Sequence, residues 1–250
     1  MCFDLDSAPP IAAISGAAVS HDHLALEAAD GDRLAAFLAT PEEPTAVGVV
    51  VLPDVRGLYR FYEELALRFA ERGYAAIAFD YFGRTAGAEP RGDDFEYMPH
   101  VQQTTPAGVQ ADVGACVAHL RATGCEAVFT VGFCFGGRNS WLAAASGHGL
   151  AGAVGFYGRP GPGNDGTPGP TQRAAEMTCP ILALQAGDDP GIPVEDSEAF
   201  RDALAAAGVD HELVIYPGAP HSFFDRKHEE FAADSEDAWN RVLRFIDRRT

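Results

Sequence analysis

Apolar positions recur along this chain in two periods, and the alternation between them predicts its elements. Leu24–Ala28 and Leu34–Ala39 run apolar or alternating on either side of Asp30-Gly31-Asp32. This is the signature of a β-hairpin, and a polar leader (residues 1–20) precedes it. Val47–Leu52 is a continuous β-branched run, expected of a strand buried on both faces. Phe61, Leu65 and Phe69 then recur every four residues, predicting a helix over Tyr62–Arg72 that stops at Gly73. Further strands are expected at Tyr74–Phe79, Ala127–Val131, Ala151–Tyr157, Ile181–Gln185 and Glu212–Tyr216. Helices are expected at Gly108–Ala122, Arg138–Ala145, Glu195–Ala207 and Phe231–Arg249. Residues 83–105 are polar and rich in Gly, Pro and acids, and residues 158–172 are rich in Gly and Pro, so both read as long loops near a site. Strands and helices that alternate in this way imply an α/β fold, a mostly parallel central sheet with helices on both faces. No internal repeat is visible, and 250 residues fit one domain over 1–250.

Composition narrows the function classes. Acidic residues outnumber basic ones 36 to 18, for a formal charge of −18, and Lys227 is the sole lysine. Phosphate-backbone binding needs clustered cations, so nucleic acid is not an expected partner. A polybasic membrane patch is missing too, and no apolar run is long enough to span a bilayer. The first thirty residues hold no Lys or Arg, so a secretory signal is not expected. Five cysteines (Cys2, Cys116, Cys125, Cys134, Cys179) lack the spacing of a disulfide scaffold or zinc site and read as reduced thiols of a cytoplasmic protein. His21 and His23 flank Asp22 without a second cluster of ligands, so no metal and no cofactor are expected.

One cysteine stands apart. Gly132-Phe133-Cys134-Phe135-Gly136-Gly137 lies between a predicted buried strand and a predicted helix, the Gly-x-nucleophile-x-Gly pattern with Cys at its centre. So tight a turn leaves no room for side chains at the flanking positions and lifts the central side chain above the sheet. The helix beginning there offers free N–H groups and a positive dipole end, which favour a thiolate and a developing oxyanion. The N–H of Phe135 is the expected first oxyanion donor.

A cysteine nucleophile needs a base, and the base an orienting acceptor. Asp188 and Asp189 follow one later strand, and His221 follows the next, in Pro220-His221-Ser222-Phe223-Phe224. Cys134, Asp189 and His221 thus have the chain order and strand-end placement of a catalytic triad; the other seven histidines lack such a pattern.

These residues resemble the dienelactone hydrolase (carboxymethylenebutenolidase) family of the α/β-hydrolase fold, from about Gly48 to the C-terminus, most specifically at the Cys-containing elbow. The resemblance implies that Asp54, in Leu52-Pro53-Asp54-Val55-Arg56-Gly57, stands where the family has a Glu that contacts the nucleophile and helps generate the thiolate. The Val55 N–H would be the second oxyanion donor. It further implies that Arg84, in Asp80-Tyr81-Phe82-Gly83-Arg84, grips a substrate carboxylate, although Arg84 also suits a surface salt bridge. The family's second carboxylate-binding Arg comes four residues after the catalytic His, a position that is Asp225 here, with Arg226 one step later. Phe82, Tyr157 and Ser222 are candidate substrate contacts, the aromatics being equally suited to simple core.

The implied activity is hydrolysis of a small carboxylic ester or lactone through a thioester on Cys134, the substrate expected to be anionic and so to approach against the net field. A general small carboxylesterase, a ligand-binding protein on the same scaffold and a redox role for Cys134 are the alternatives. Oligomeric state cannot be read from the residues.

Overall fold

A computed structural model describes residues 7–250 and contains eight strands in one sheet. The strands are β1 (Val19–Glu27), β2 (Arg33–Pro41), β3 (Val47–Leu52), β4 (Ala75–Phe79), β5 (Ala127–Phe133), β6 (Gly152–Phe156), β7 (Ile181–Ala186) and β8 (His211–Tyr216). The helices are α1 (Arg60–Ala70), α2 (Gly83–Ala86), α3 (Met98–Val101), α4 (Pro106–Ala122), α5 (Phe135–Ala144), α6 (Val194–Ala207) and α7 (Ala232–Asp247). In space the strands run β1-β2-β4-β3-β5-β6-β7-β8. The β1–β2 and β2–β4 pairs are antiparallel, and every later pair is parallel.

The near-continuous apolar strands follow from burial on both faces. Val49, Val51, Phe129, Val131, Val154, Phe156 and Leu184 point to one face and pack with Phe61, Leu65 and Phe69 of α1 and Trp239, Val242 and Phe245 of α7. Their sequence neighbours Val50, Leu52, Val128, Ala153, Ile181 and Ala183 point to the other, against Val113, Cys116 and Leu120 of α4, Trp141 of α5 and Phe200 and Leu204 of α6. The period-2 pleat thus divides one run of residues between two cores.

Boundaries differ from the sequence expectation where packing overrides propensity. β1 begins at Val19, inside the expected leader, because Ser20–His23 pair with β2 from Phe37 to Thr40 although their side chains are exposed. Cys2 lies outside the described residues. The 83–105 excursion holds two single-turn helices, α2 and α3, and α4 starts at Pro106, where the Thr105 side chain accepts from Gly108 N–H at 3.1 Å. α5 begins at Phe135, three residues before the expected Arg138. Gly136 and Gly137 look like helix breakers by propensity, but here they are the residues whose bareness lets the helix start against the sheet. Among the described residues no helix is long and apolar enough to cross a membrane.

Candidate active site

Cys134 is the hinge between β5 and α5. Its backbone sits at φ 55°, ψ −113°, and its N–H donates to the Phe156 carbonyl of β6 at 3.0 Å. The flanking glycines have a measurable reason. A Cβ on Gly132 would lie 2.1 Å from the Gly136 carbonyl oxygen, and one on Gly136 would lie 2.1 Å from that of Leu52. Only bare backbone lets the first turn of α5 press on the end of β3. The described non-glycine residues with positive φ are Cys134, Tyr157 and Ser222. Strain of this kind, of order 1–3 kcal/mol per residue, gathers where surrounding structure holds a site in place.

The acid and the imidazole meet as their chain order requires. Asp189 follows β7 and accepts from His221 Nδ1 at 2.6 Å. The two loops are stitched together by Gly187 N–H to Tyr216 O and Asp188 N–H to Ala219 O, both 2.9 Å. Asp189 also accepts from the Gly191 N–H at 2.8 Å. Burial alone would raise this carboxyl, but the His221 hydrogen bond and charge, with the Gly191 and Ile192 amides, outweigh it and hold the group below the ordinary carboxylate value. An ionised Asp189 accepts only, so the ring proton resides on Nδ1 and Nε2 is left as the basic nitrogen.

Cys134 is half-buried, whereas Cys116, Cys125 and Cys179 are buried. Burial lifts the thiols of all three; Cys179 is pushed up to about 12, only partly offset by the charge of Arg249. Those three are inert by environment.

The loop after β3 lies beside the elbow. Asp54 is fully buried, and its Oδ1 accepts from the Arg56 N–H at 2.8 Å. The Asp54 N–H donates to the Tyr62 hydroxyl at 2.9 Å, and the Gly57 N–H to the Asp54 carbonyl at 3.1 Å. The amides on either side of Val55 are therefore already engaged, by Tyr62 and by Asp54. Phe135 is the first residue of α5, so its N–H has no acceptor within the helix. Tyr81 bridges the two segments. Its hydroxyl donates to Pro53 O at 2.7 Å, its ring packs on Phe135 at 5.1 Å, and its phenol is raised first by burial and then by the charges of Asp54 and Cys134.

The four expected substrate contacts have these surroundings. Arg84 is engaged by carboxylates: Asp112 at 2.6 Å, Asp30 at 2.8 Å and Asp32 at 3.6 Å. Its fork ties α2 and α4 to the turn between β1 and β2, which is the salt-bridge alternative. Phe82 is buried against Tyr81, Phe95 and His100. Tyr157 is 0% exposed, with its hydroxyl on Asp225. Ser222 is 1% exposed, and its hydroxyl makes no hydrogen bond among the described residues. All three side chains are buried. Asp112 was open to detection, as an acid on an otherwise apolar helix face with Val109, Val113 and Cys116. The role of Tyr81 was not, because Pro53 and Phe135 are distant in the chain, and Asp225 was visible only as a departure from the family, its Tyr157 partner lying 68 residues away.

A cavity of about 630 Å³ is lined by His23, Leu58, Tyr59, Glu63, Asp80 and Arg91. It adjoins the β3–α1 loop that carries Asp54 and Val55, and none of Cys134, Asp189 and His221 lines it.

A mostly parallel eight-stranded sheet with helices on both faces and a strand–elbow–helix turn at its centre is the α/β-hydrolase fold. Within that class the chain belongs to the dienelactone hydrolase family, whose model matches residues 34–249. It is 33% identical over 229 residues to an Escherichia coli (strain K12) protein named "Putative carboxymethylenebutenolidase", covering 86% of this chain and 83% of that one. A Yersinia pestis protein of the same name is 32% identical over 221 residues, covering 85% and 83%. A crystal structure titled a "Putative Dienelactone Hydrolase" from Klebsiella pneumoniae superposes with a TM-score of 0.80 at 26% identity, covering 92% of this chain and 99% of the other. The protein is accordingly a hydrolase of the ester and lactone type, acting on small substrates.

Proposed function

We propose that the chain hydrolyses uncharged carboxylic esters or lactones through a covalent thioester on Cys134, with His221 as base and Asp189 as its orienting acceptor. The observation that carries this reading is the 2.6 Å bond from His221 Nδ1 to Asp189, which leaves Nε2 as the basic nitrogen of a strand-end histidine. The His221 ring packs 4.8 Å from that of Tyr157, the residue after the Phe156 carbonyl that receives the Cys134 N–H.

In the first half-reaction His221 Nε2 takes the Cys134 proton as sulfur bonds to the substrate carbonyl carbon. The carbonyl electrons move to oxygen, where the N–H groups of Phe135 and Val55 receive the charge. Collapse breaks the C–O bond, and the departing oxygen takes the proton from His221; in a lactone it stays tethered to the acyl group. In the second half His221 removes a proton from water, whose oxygen attacks the thioester. The acid leaves, and the sulfur recovers its proton. Asp189 stays ionised throughout and stabilises the imidazolium. Asp54, buried in the loop that carries Val55, orders this loop by accepting from the Arg56 amide and assists His221 in activating Cys134.

An uncharged substrate is favoured over an anionic one because Arg84 is neutralised by its own carboxylates and the position four residues after His221 carries Asp225. The four cysteines among the described residues are free thiols, which fits a reducing compartment, and we place the protein in the cytoplasm on that ground.

Mass spectrometry of enzyme quenched during turnover of p-nitrophenyl butyrate tests the reading. The expected result is an acyl adduct on the peptide containing Cys134. An adduct elsewhere, or full turnover by Cys134→Ala, overturns it.

A further inference from the structure

Behind His221 lies a buried carboxyl that the mechanism above does not use. Asp225 is 0% exposed, and its Oδ2 accepts from the Tyr157 hydroxyl at 2.7 Å, while its Oδ1 accepts from the Arg226 backbone N–H. The Tyr157 ring packs against the His221 imidazole, centroids 4.8 Å apart and tilted by 54°, and also against Phe133, Phe156 and Phe223. Its backbone is equally constrained: φ is +36°, and its N–H donates to Leu184 O at 2.8 Å.

We propose that Asp225 is a positioning residue for His221, acting through Tyr157. The proposal rests on the assignment of His221 as the base. The Asp189 hydrogen bond anchors only one edge of the imidazole, and a ring held at one edge can still rotate about its side-chain bonds. A flat aromatic wall restricts that rotation, provided the wall cannot tilt. Tyr157 is joined to the residue whose carbonyl receives the Cys134 N–H, so wall, nucleophile and base share one frame. The phenol–carboxyl bond fixes the free end of the wall, and Asp225 is fixed in turn by the backbone just past His221. Base, wall and buried acid close a loop, from His221 to Tyr157 to Asp225 and back along four residues of chain.

A carboxyl suits this place only if it adds little charge. Burial pushes Asp225 up to about 8; the Arg226 amide and the Tyr157 hydroxyl pull it down, the charge on Asp54 raises it and that on His221 lowers it. Burial thus disfavours a second negative charge beside Asp54.

The test compares wild type, Tyr157→Phe, Asp225→Asn and the double variant on p-nitrophenyl butyrate, alongside the low-field proton resonance of the His221 Nδ1–H. Each single variant is expected to lower kcat about tenfold with KM little changed, since small misplacement of a base weakens the transition state more than binding. Each should also shift or broaden the imidazole resonance, and the double variant should be no worse than the poorer single one. Folded variants with unchanged kcat and resonance, or losses that add independently, overturn the proposal. If Asp225→Asn fails to fold, Tyr157→Phe decides alone, since it keeps the ring. If wild type does not turn over the ester, the proposed reading on uncharged esters fails while the resonance still judges the positioning.

Discussion

Gly136 and Leu52 approach so closely that a Cβ on the glycine would stand 2.1 Å from the Leu52 carbonyl oxygen and 2.3 Å from that of Pro53. This contact joins the start of α5, which carries the Phe135 N–H, to the end of β3, which leads into Asp54 and Val55. The separation of the two proposed oxyanion donors is therefore set by a backbone-to-backbone contact that no larger residue permits.

Gly136→Ala should accordingly spread the two donors apart. The expected outcome is a kcat at least about 10²-fold lower on p-nitrophenyl butyrate, the order seen when one oxyanion donor is removed. Far-ultraviolet circular dichroism should show the fold retained. A folded variant with normal kcat would show that the contact does not govern the reaction.

The Asp189–His221 bond predicts a large effect from a small change. Asp189→Asn keeps the volume but replaces an acceptor that demands a proton on Nδ1 with a group that tolerates the other tautomer. Turnover should fall by about 10³–10⁴-fold near neutral pH. A loss below tenfold would mean that His221 is oriented by something else.

Arg84 now has a structural prediction. Arg84→Ala would leave the buried Asp112 without its guanidinium and release the turn between β1 and β2. Arg84 is itself partly exposed, so the cost is discounted to about 2 kcal/mol, or a melting temperature lower by about 5 °C. The ratio of kcat/KM for p-nitrophenyl butyrate to that for the anionic p-nitrophenyl hemisuccinate should stay as in wild type and favour the uncharged ester. A selective loss on the anionic ester would restore Arg84 as a carboxylate anchor.

Asp225 makes stability depend on pH in a defined direction. Its folded value of about 8 lies above the ordinary 3.8, so between these two the folded protein keeps a proton that the unfolded chain has released. The stability contributed by this group is fully present below about pH 3.8 and declines as pH rises towards 8. Asp225→Asn lacks the titration, so its melting temperature relative to wild type should rise steadily from pH 5 to pH 8. A pH-independent difference would show that the carboxyl is ionised in the folded state.

The elements themselves were legible in the residues, because a strand buried on both faces must be apolar throughout and a helix on one face must repeat at three and four. The chemistry was legible where it is local. Gly132–Gly137 carries the elbow in six consecutive residues, and the order Cys134, Asp189, His221 follows from strand ends that a parallel sheet brings to one edge. Arg84 shows the limit. Its segment resembles a substrate clamp, yet Asp30, Asp32 and Asp112 come from a hairpin turn and a helix that only the folded chain brings together. A motif records which groups are present, not how many partners compete for them.

The sequence alone thus determined the α/β architecture, the nucleophile turn and the candidate triad, all of which depend on periodicity and spacing along the chain. Tertiary structure decided which charges are already matched and which aromatic rings are buried in packing. Asp225 under Tyr157, 68 residues apart, is of that second kind. Hydrogen bonds and ion pairs are short-ranged, so their partners are chosen by proximity in space, and that proximity exists only once the sheet has formed.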